Sequence, residues 1–343
     1  MESLSGVDKN QVSIHELRKM LSAYGKPKLG TSILQIINTF IPYLGLWAIL
    51  IFMVNRGYPV YIIAALIILA SLVLVRIFIL FHDCTHTSFF KSRLANIILG
   101  YICGILTFTP FNYWQHNHLV HHGSYADLDR RGVGDIWTLT VEEYRSASKR
   151  RQLGYRLYRN PLVFLGVGPG YFFLFTQRLL HQWKGKNERF SILFTNLAIV
   201  VIVLAASLTM GLKTYLIIQV PVMLISGAIG VWLFYVQHQF EGVYWSRHED
   251  WDPVKAALNG SSYYKLPGVL QWFTGNIGFH HVHHVLPRIP NYRLQECYDQ
   301  TPLLQSVRPL GIARSLKSLW LNLWDEKEQK LVSFRSLKTA KTG

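Results

Sequence analysis

Residues Tyr58 to His86 read YPVYIIAALIILASLVLVRIFILFHDCTH. From Tyr58 to Phe81 the run holds one charge, Arg76, and it then breaks at once into a polar stretch with two histidines four apart. A helix rises about 1.5 Å per residue and the hydrocarbon core of a bilayer is about 30 Å thick, so roughly 20 apolar residues cross it. The segment therefore predicts a transmembrane helix that delivers a histidine pair to the membrane surface. Working outward, Thr31–Val54, Phe190–Leu212 and Thr214–Gln237 pass the same test. Tight turns at Asn55–Gly57 and at Lys213 join the four spans into two hairpins.

The whole chain agrees with this reading. Half of its 343 residues are hydrophobic and 16% are charged, against about 25% charged in a typical soluble domain. Two more apolar stretches are interrupted: Leu94–Tyr113 by Gly100, Gly104 and Pro110, and Pro161–Thr176 by Gly166, Gly168, Pro169 and Gly170. Both are expected to be re-entrant or interfacial, which leaves four spans and puts both termini on one side. Of 35 lysines and arginines, only Arg56 and Lys213 fall on the opposite side and Arg76 within a span. The positive-inside rule then makes the side of both termini cytoplasmic. The formal charge of +16 is thus a topology signal, and no nucleic-acid-binding signature accompanies it.

Residues 1–30 form a polar cytoplasmic segment without the apolar core of a cleaved leader. Within it Ile14, Leu17, Leu21 and Tyr24 keep helical spacing, which fits an interfacial helix or a loosely ordered tail. Residues 31–334 read as one membrane domain, and 335–343 as a basic, solvated tail. Cys84, Cys103 and Cys297 make no C-x-x-C pair, so neither a disulfide framework nor a zinc ribbon is encoded.

Fourteen histidines are the anomaly of the composition. His82 and His86 lie four apart; His118, His121 and His122 form H-x-x-H-H; His280, His283 and His284 repeat that pattern with His281 inserted. Residues three and four apart share a helix face, so each cluster converges. His238, at the exit of the fourth span, stands alone in the sequence, yet four-span parity brings all four sites to one face of the membrane. These nine are the candidate metal ligands, because neutral imidazole is the commonest metal-binding side chain and suits iron, zinc and copper. Nine exceed the four ligands of one tetrahedral ion, which calls for two metals. Few carboxylates share the pattern, which disfavours calcium and magnesium. His15, His181 and His248 read as packing residues. His116 and His281 fall outside the shared spacing and suit supporting or structural roles. The expected architecture is an all-α integral membrane protein of four transmembrane helices with a cytoplasmic, histidine-rich di-metal cap.

F-H-D-C-T-H, W-x-H-x-H-x-x-H-H, G-D-I-W at Gly134–Trp137, V-Q-H-Q-F-E and G-N-I-G-x-H-H-V-H-H-x-x-P-x-I-P-N-Y together resemble the integral membrane fatty-acid desaturase family, in its bacterial acyl-lipid branch. The likeness runs from about Thr31 to Phe334. It implies a di-iron centre that uses dioxygen and two electrons to remove hydrogen from neighbouring methylenes, giving a cis double bond in saturated acyl chains of membrane phospholipids. It further implies the Δ5 position, and the ligands His82, His86, His118, His121, His122, His238, His280, His283 and His284. An unactivated C–H bond has no acidic proton and no electrophilic carbon, so a redox metal, not acid–base or nucleophilic groups, must do such work.

Asp83, Asp127, Asp129, Asp135, Glu142 and Glu241 lie near the boxes; each either accepts a ligand's second imidazole N–H or is a solvated acid or helix cap. Of these, Asp83, Asp135 and Glu241 are the supporting candidates, beside His116 and His281. Cys84 is expected to pack, and Arg76 to snorkel toward the cytoplasmic headgroups. Arg145, Lys149, Arg150, Arg151, Arg156 and Arg159 form a basic patch suited to anionic lipid or to an acidic carrier. The bacterial branch implies a ferredoxin or flavodoxin-type donor. No dinucleotide-binding G-x-G-x-x-G and no cytochrome b5 H-P-G-G occurs, so electrons must come from a separate protein. Two rivals remain: a membrane di-iron hydroxylase of acyl chains or alkanes, separated only by its product, and a non-catalytic metal-binding protein.

Overall fold

The computed structural model describes residues 12–179 and 185–339; His181 lies outside them. Among the described residues four helices are long and apolar enough to cross a membrane: α2 (Leu29–Asn55), α3 (Val60–Thr85), α9 (Lys186–Thr209) and α10 (Leu212–His238). Preceding them is α1 (Ile14–Leu21). Between the two hairpins come α4 (Arg93–Leu106), α5 (Phe111–Ser124), α6 (Val141–Ser146), α7 (Lys149–Tyr158) and α8 (Gly168–Leu174). After them come α11 (Pro253–Asn259), α12 (Gly268–Phe273), α13 (His280–Val285) and α14 (Asn291–Asp299).

At 26 residues, α3 is about 39 Å long and outruns the hydrocarbon thickness, so its C-terminal turns carry His82 and His86 beyond it. The core of the bundle is α3. Leu74, Ile77, Leu80 and Phe81 are completely enclosed by α2, α4 and α10, and Cys84 packs in the same cluster, as expected. By contrast α9 leaves Leu197, Leu204 and Leu208 uncovered, a surface suited only to lipid.

The interrupted stretch after the first histidine pair folds as α4 and α5, bent by 101° at the break. Gly100 is the reason the two legs meet so closely: a Cβ there would lie 2.2 Å from the Phe111 ring. The pair starts at the histidine end of α3 and returns to it. The second interrupted stretch is a π-helical turn, Val163–Val167, running into α8.

Short strands tie down the cap: β1 (Leu139–Thr140) pairs parallel with β4 (Leu323–Asp325), β4 antiparallel with β5 (Lys330–Val332), and β2 (Tyr263–Lys265) parallel with β3 (Pro309–Gly311). Three expectations are corrected here. The helix α1 is neither interfacial nor loose. Ser13 and Glu16 close a capping box, Leu17 and Leu21 are buried at 0% and 1% in the cluster that holds Val282 and Val285 of α13, and Arg18 Nε donates to Val285 O at 2.9 Å. Arg76 does not snorkel; its side chain turns inward onto Trp272. The basic patch loses one member to packing: Arg159 is buried and donates to Gln239 Oε1 and Leu321 O, whereas Arg156 stays exposed while donating to Tyr144 OH and lying over Phe334.

Candidate metal centre

The four histidine-bearing segments meet at one end of the bundle. Each arrives on an element fixed by different contacts: the end of α3 by the core, α5 by its return from α4, the last residue of α10 by its span, and α13 by α1 beneath it. The nine imidazoles fall into two groups, His82, His86, His118, His122 and His283 in one and His121, His238, His280 and His284 in the other, with the ligand atoms of each within 4.8 Å of one another. Eight are buried and His122 is partly buried.

Each H-x-x-H-H motif is divided between the groups. α5 gives His118 and His122 to the first and His121 to the second; α13 gives His283 to the first and His280 and His284 to the second. Residues four apart on a helix share a face, whereas neighbours point about 100° apart. Two faces of each helix therefore serve two centres, a finer partition than convergence on one face.

The nitrogens are closely spaced. His118 Nε2 lies 3.0 Å from His82 Nε2 and 3.1 Å from His122 Nε2, and His122 Nε2 lies 3.0 Å from His283 Nε2. In the other group His238 Nε2 is 3.1 Å from His121 Nε2 and 3.0 Å from His280 Nε2, which is 3.0 Å from His284 Nε2. An imidazole nitrogen has one in-plane position, filled by a hydrogen or a lone pair. His118, His122, His238 and His280 each face two such nitrogens and cannot satisfy both as hydrogen bonds. Convergence on a common cation resolves the conflict: with metal–nitrogen bonds of about 2.1 Å, two ligands at a right angle stand about 3.0 Å apart. His86 Nε2 is likewise buried without a hydrogen-bond partner. Burial also holds the imidazolium forms of His118, His122, His280, His283 and His284 far below their ordinary pKa, with neighbouring imidazoles adding to the effect. The rings are then neutral, the form a metal binds. The residues present fit two metal ions.

The second ring nitrogens are held selectively. His121 Nδ1 meets Asp135 Oδ1, and His238 Nδ1 donates to Gly260 O at 3.1 Å. Gly134 makes the first contact attainable. Its φ is +71°, and a Cβ there would stand 2.8 Å from Asn117 O and 3.2 Å from His121 Cβ, so a bare backbone must lie against α5. Asp83 lies 3.5 Å from His82 Nδ1 through Oδ1, while its Oδ2 accepts the Asn291 backbone N–H and Nδ2 at 2.7 and 2.8 Å. Asn291 in turn exchanges hydrogen bonds with Gln35 of α2. The start of α14 is thereby locked to both α3 and α2.

Three other supporting candidates are not brought to the centre. Glu241 is exposed and faces Arg314 and Lys317 at 3.9 and 3.8 Å, because α10 ends at His238 and the chain turns away. His116 points to the far side of α5, where it meets Glu188 at 3.3 Å. His281 is enclosed but directs Nε2 to Leu304 O at 3.2 Å; it braces α13, and burial lowers its pKa to about 4. Asp129 caps Arg247 and the His248 backbone, Asp127 holds the His248 ring, and Glu142 is exposed near Lys327. Two aromatic neighbours escaped the sequence reading. Trp114 stacks on His118 with centroids 4.2 Å apart, one helical turn earlier on the same face, and Tyr125 lies 4.0 Å from the His284 ring.

Apolar spans topped by two clusters of imidazole nitrogen define a membrane protein with a histidine-rich candidate di-metal centre. Comparison with known proteins agrees. A family model described as fatty acid desaturase matches residues 33–305. The chain is 47% identical to a fatty acid desaturase of Bacillus subtilis (strain 168) over 94% of its own length and 91% of that protein. It is 26% identical to an sn-1 acyl-lipid omega-3 desaturase (ferredoxin) of a Nostoc species, over 73% of this chain and 69% of that one. An sn-1 oleoyl-lipid 12-desaturase of a Synechocystis species is also 26% identical, over 64% and 62% of the two chains. This chain belongs to the fatty acid desaturase family.

Proposed function

We propose that the chain introduces a cis double bond, at Δ5, into saturated acyl chains of membrane phospholipids, using dioxygen and two electrons at a di-iron centre. Two iron ions would be held by His82, His86, His118, His122 and His283 on one side and by His121, His238, His280 and His284 on the other. The observation that carries this reading is the pair of all-imidazole clusters at 3.0–3.1 Å nitrogen spacing. Bound iron supplies the one-electron oxidising power that attack on an unactivated methylene demands; zinc has none to offer.

The protein's own residues set the ligands in place. Asp135 and the Gly260 carbonyl engage the Nδ1 atoms of His121 and His238, which turns each Nε2 toward its group. Trp114 and Tyr125 wall the rings against water. With four spans and α4 and α5 as a re-entrant pair, the centre and both termini share one face, and the charge asymmetry supports reading that face as cytoplasmic. Exposed Arg145, Lys149, Arg150 and Arg151 support docking of an acidic ferredoxin or flavodoxin there, and the Nostoc relative's name mentions ferredoxin.

The test is expression in a bacterial host with reduced ferredoxin or flavodoxin, alongside His118→Ala and His283→Ala. Acyl chains are derivatised across their double bonds and read by mass spectrometry. A new Δ5 species, absent from both variants and from anaerobic cultures, is the expected result. Hydroxylated chains would move the assignment to a hydroxylase, and unchanged lipids with a competent donor would refute catalysis on phospholipid.

A further inference from the structure

Beyond residue 305, where the family match ends, one segment has its polarity inverted. Helix α15 (Ile312–Ser315) runs on as a 3-10 turn, Leu316–Trp320. Ile312, Leu316 and Trp320, spaced four apart, are exposed at 41%, 53% and 61%, whereas Ser315 and Ser318 are buried at 0% and 1%. A segment facing water would turn its serines outward and its large apolar side chains inward. Here the inward face is held by specific contacts. The Ser315 hydroxyl donates to Ile312 O at 2.7 Å and lies 3.2 Å from Tyr264 OH, and the Ser318 carbonyl accepts the Tyr235 hydroxyl at 2.8 Å. The apolar side chains are thereby directed outward, which calls for an apolar exterior.

The position of the segment supplies one. At 27 residues, α10 is about 40 Å long and outruns the hydrocarbon core, so its last turn, which carries Tyr235, lies in the headgroup region. The ring of Tyr235 also packs on Phe164 of the π-helical turn, centroids 4.9 Å apart, and Leu162 and Val167 at the two ends of that turn are exposed. The apolar ridge thus continues a lipid-facing surface around the end of α10. Because β2 and β3 run parallel, the chains that follow them leave the pair at the same end: α12 with exposed Val269 and Trp272, and α15 with the ridge. Lys265, Arg308 and Lys317 are exposed around it and Arg314 is half-buried. Glu241, 3.9 Å from Arg314 and 3.8 Å from Lys317, offsets one of these four charges. Apolar side chains with a tryptophan and flanking cations are the make-up of a segment lying in a membrane interface.

We propose that residues 312–320 are a membrane-dipping anchor: Ile312, Leu316 and Trp320 enter the lipid leaflet beside the end of α10, and Lys265, Arg308, Arg314 and Lys317 meet its anionic phospholipid headgroups. The inference goes beyond the proposed reaction and does not depend on it. The anchor bears on the cap directly. Tyr264, which touches Ser315, donates its backbone N–H to Gly278 O at 2.7 Å, two residues before His280.

The test reads lipid contact, not turnover. Cys84, Cys103 and Cys297 are buried, so a thiol-reactive nitrobenzoxadiazole fluorophore reports from one introduced cysteine. Leu316→Cys or Trp320→Cys probes the ridge, Leu197→Cys on α9 is the lipid-facing reference, and Lys327→Cys on the cap the water-facing one. Full-length protein is reconstituted in phosphatidylcholine vesicles with a rising fraction of phosphatidylcholine or phosphatidylglycerol that carries a nitroxide near the top of one chain. At the ridge both lipids should quench, as at Leu197, and phosphatidylglycerol should reach half-quenching at about one-fifth of the mole fraction, the scale of one cation beside an anionic surface. Arg314→Gln combined with Lys317→Gln should remove that preference and leave the quenching. Fluorescence at Leu316 and Trp320 as unquenched as at Lys327 would overturn the anchor, and a signal that instead changed on diluting the protein in the membrane would assign the ridge to a second copy of the chain. Equal quenching by the two lipids would overturn the headgroup contact. Should Leu316→Cys fail to fold, Trp320→Cys still decides, and the comparison of lipids needs neither charge substitution.

Discussion

His121 and His122 are neighbours in the chain, yet their Nε2 atoms belong to different nitrogen groups, His121 facing His238 and His122 facing His283. One helix thus contributes to both halves of the centre through adjacent residues. Replacing either with alanine should abolish desaturation while lowering bound iron by roughly half, because metal affinity follows the local ligand set. Iron quantification on the purified variants checks this, and complete loss of iron from both would show that the groups do not load separately.

Asp135 touches no candidate metal position; it acts through His121. Asp135→Asn keeps the shape and removes the charge that fixes the ring, so iron affinity or activity should fall about 10–100-fold. Chelator competition gives the affinity, and product yield at saturating iron separates weak loading from a damaged reaction.

Glu241→Gln and His116→Gln should leave desaturation within about twofold of the wild type, since Glu241 is exposed and His116 faces Glu188 on the side of α5 away from the centre. Lipid analysis of whole cells is sufficient. A loss like that of Asp135→Asn would place these side chains at the centre after all.

Gly134→Ala should destabilise the protein by about 1–3 kcal/mol, since it puts a side chain on a left-handed backbone already pressed against α5. Thermal unfolding in detergent reads the cost. His121 should lose its partner with it, so the variant should also bind iron less tightly than its stability alone predicts.

Leu17→Ala should cost about 2–5 kcal/mol, the range for emptying an enclosed leucine position. Hydrogen exchange should show faster opening of α1 and α13 together, with α2 and α3 unchanged. Uniform loosening would mean that α1 supports the bundle and not the cap.

The spans were legible because crossing a bilayer demands long, uninterrupted apolar runs, and the two other apolar stretches are broken by glycine and proline. The nine histidines were legible because their spacing is helical. Their division was not, since a helix face drawn from i and i+4 says nothing of what lies across from residue i+1. His116 shows the same limit: two positions before His118 is nearly half a turn away, and it faces Glu188. Glu241 looked close to His238 only along the sequence, where the helix was assumed to continue. Arg76, α1 and Gly260 were misjudged or missed because their partners are remote; Trp272 stands 196 residues from Arg76. Asp135 could be proposed from its nearness to the second box, while Trp114 needed only one further step of helical counting.

The division of α5 and α13 between two nitrogen groups bears on biogenesis. Neither group is complete until α13, some two hundred residues downstream of His82, has docked on the end of α3. Insertion of the four spans and completion of the two nitrogen groups are therefore separable events: the end of α3 and α5 already bring four of the first group's five imidazoles, whereas the second has only His121 and His238 until α13 arrives, so the two halves of the centre depend unequally on that last docking.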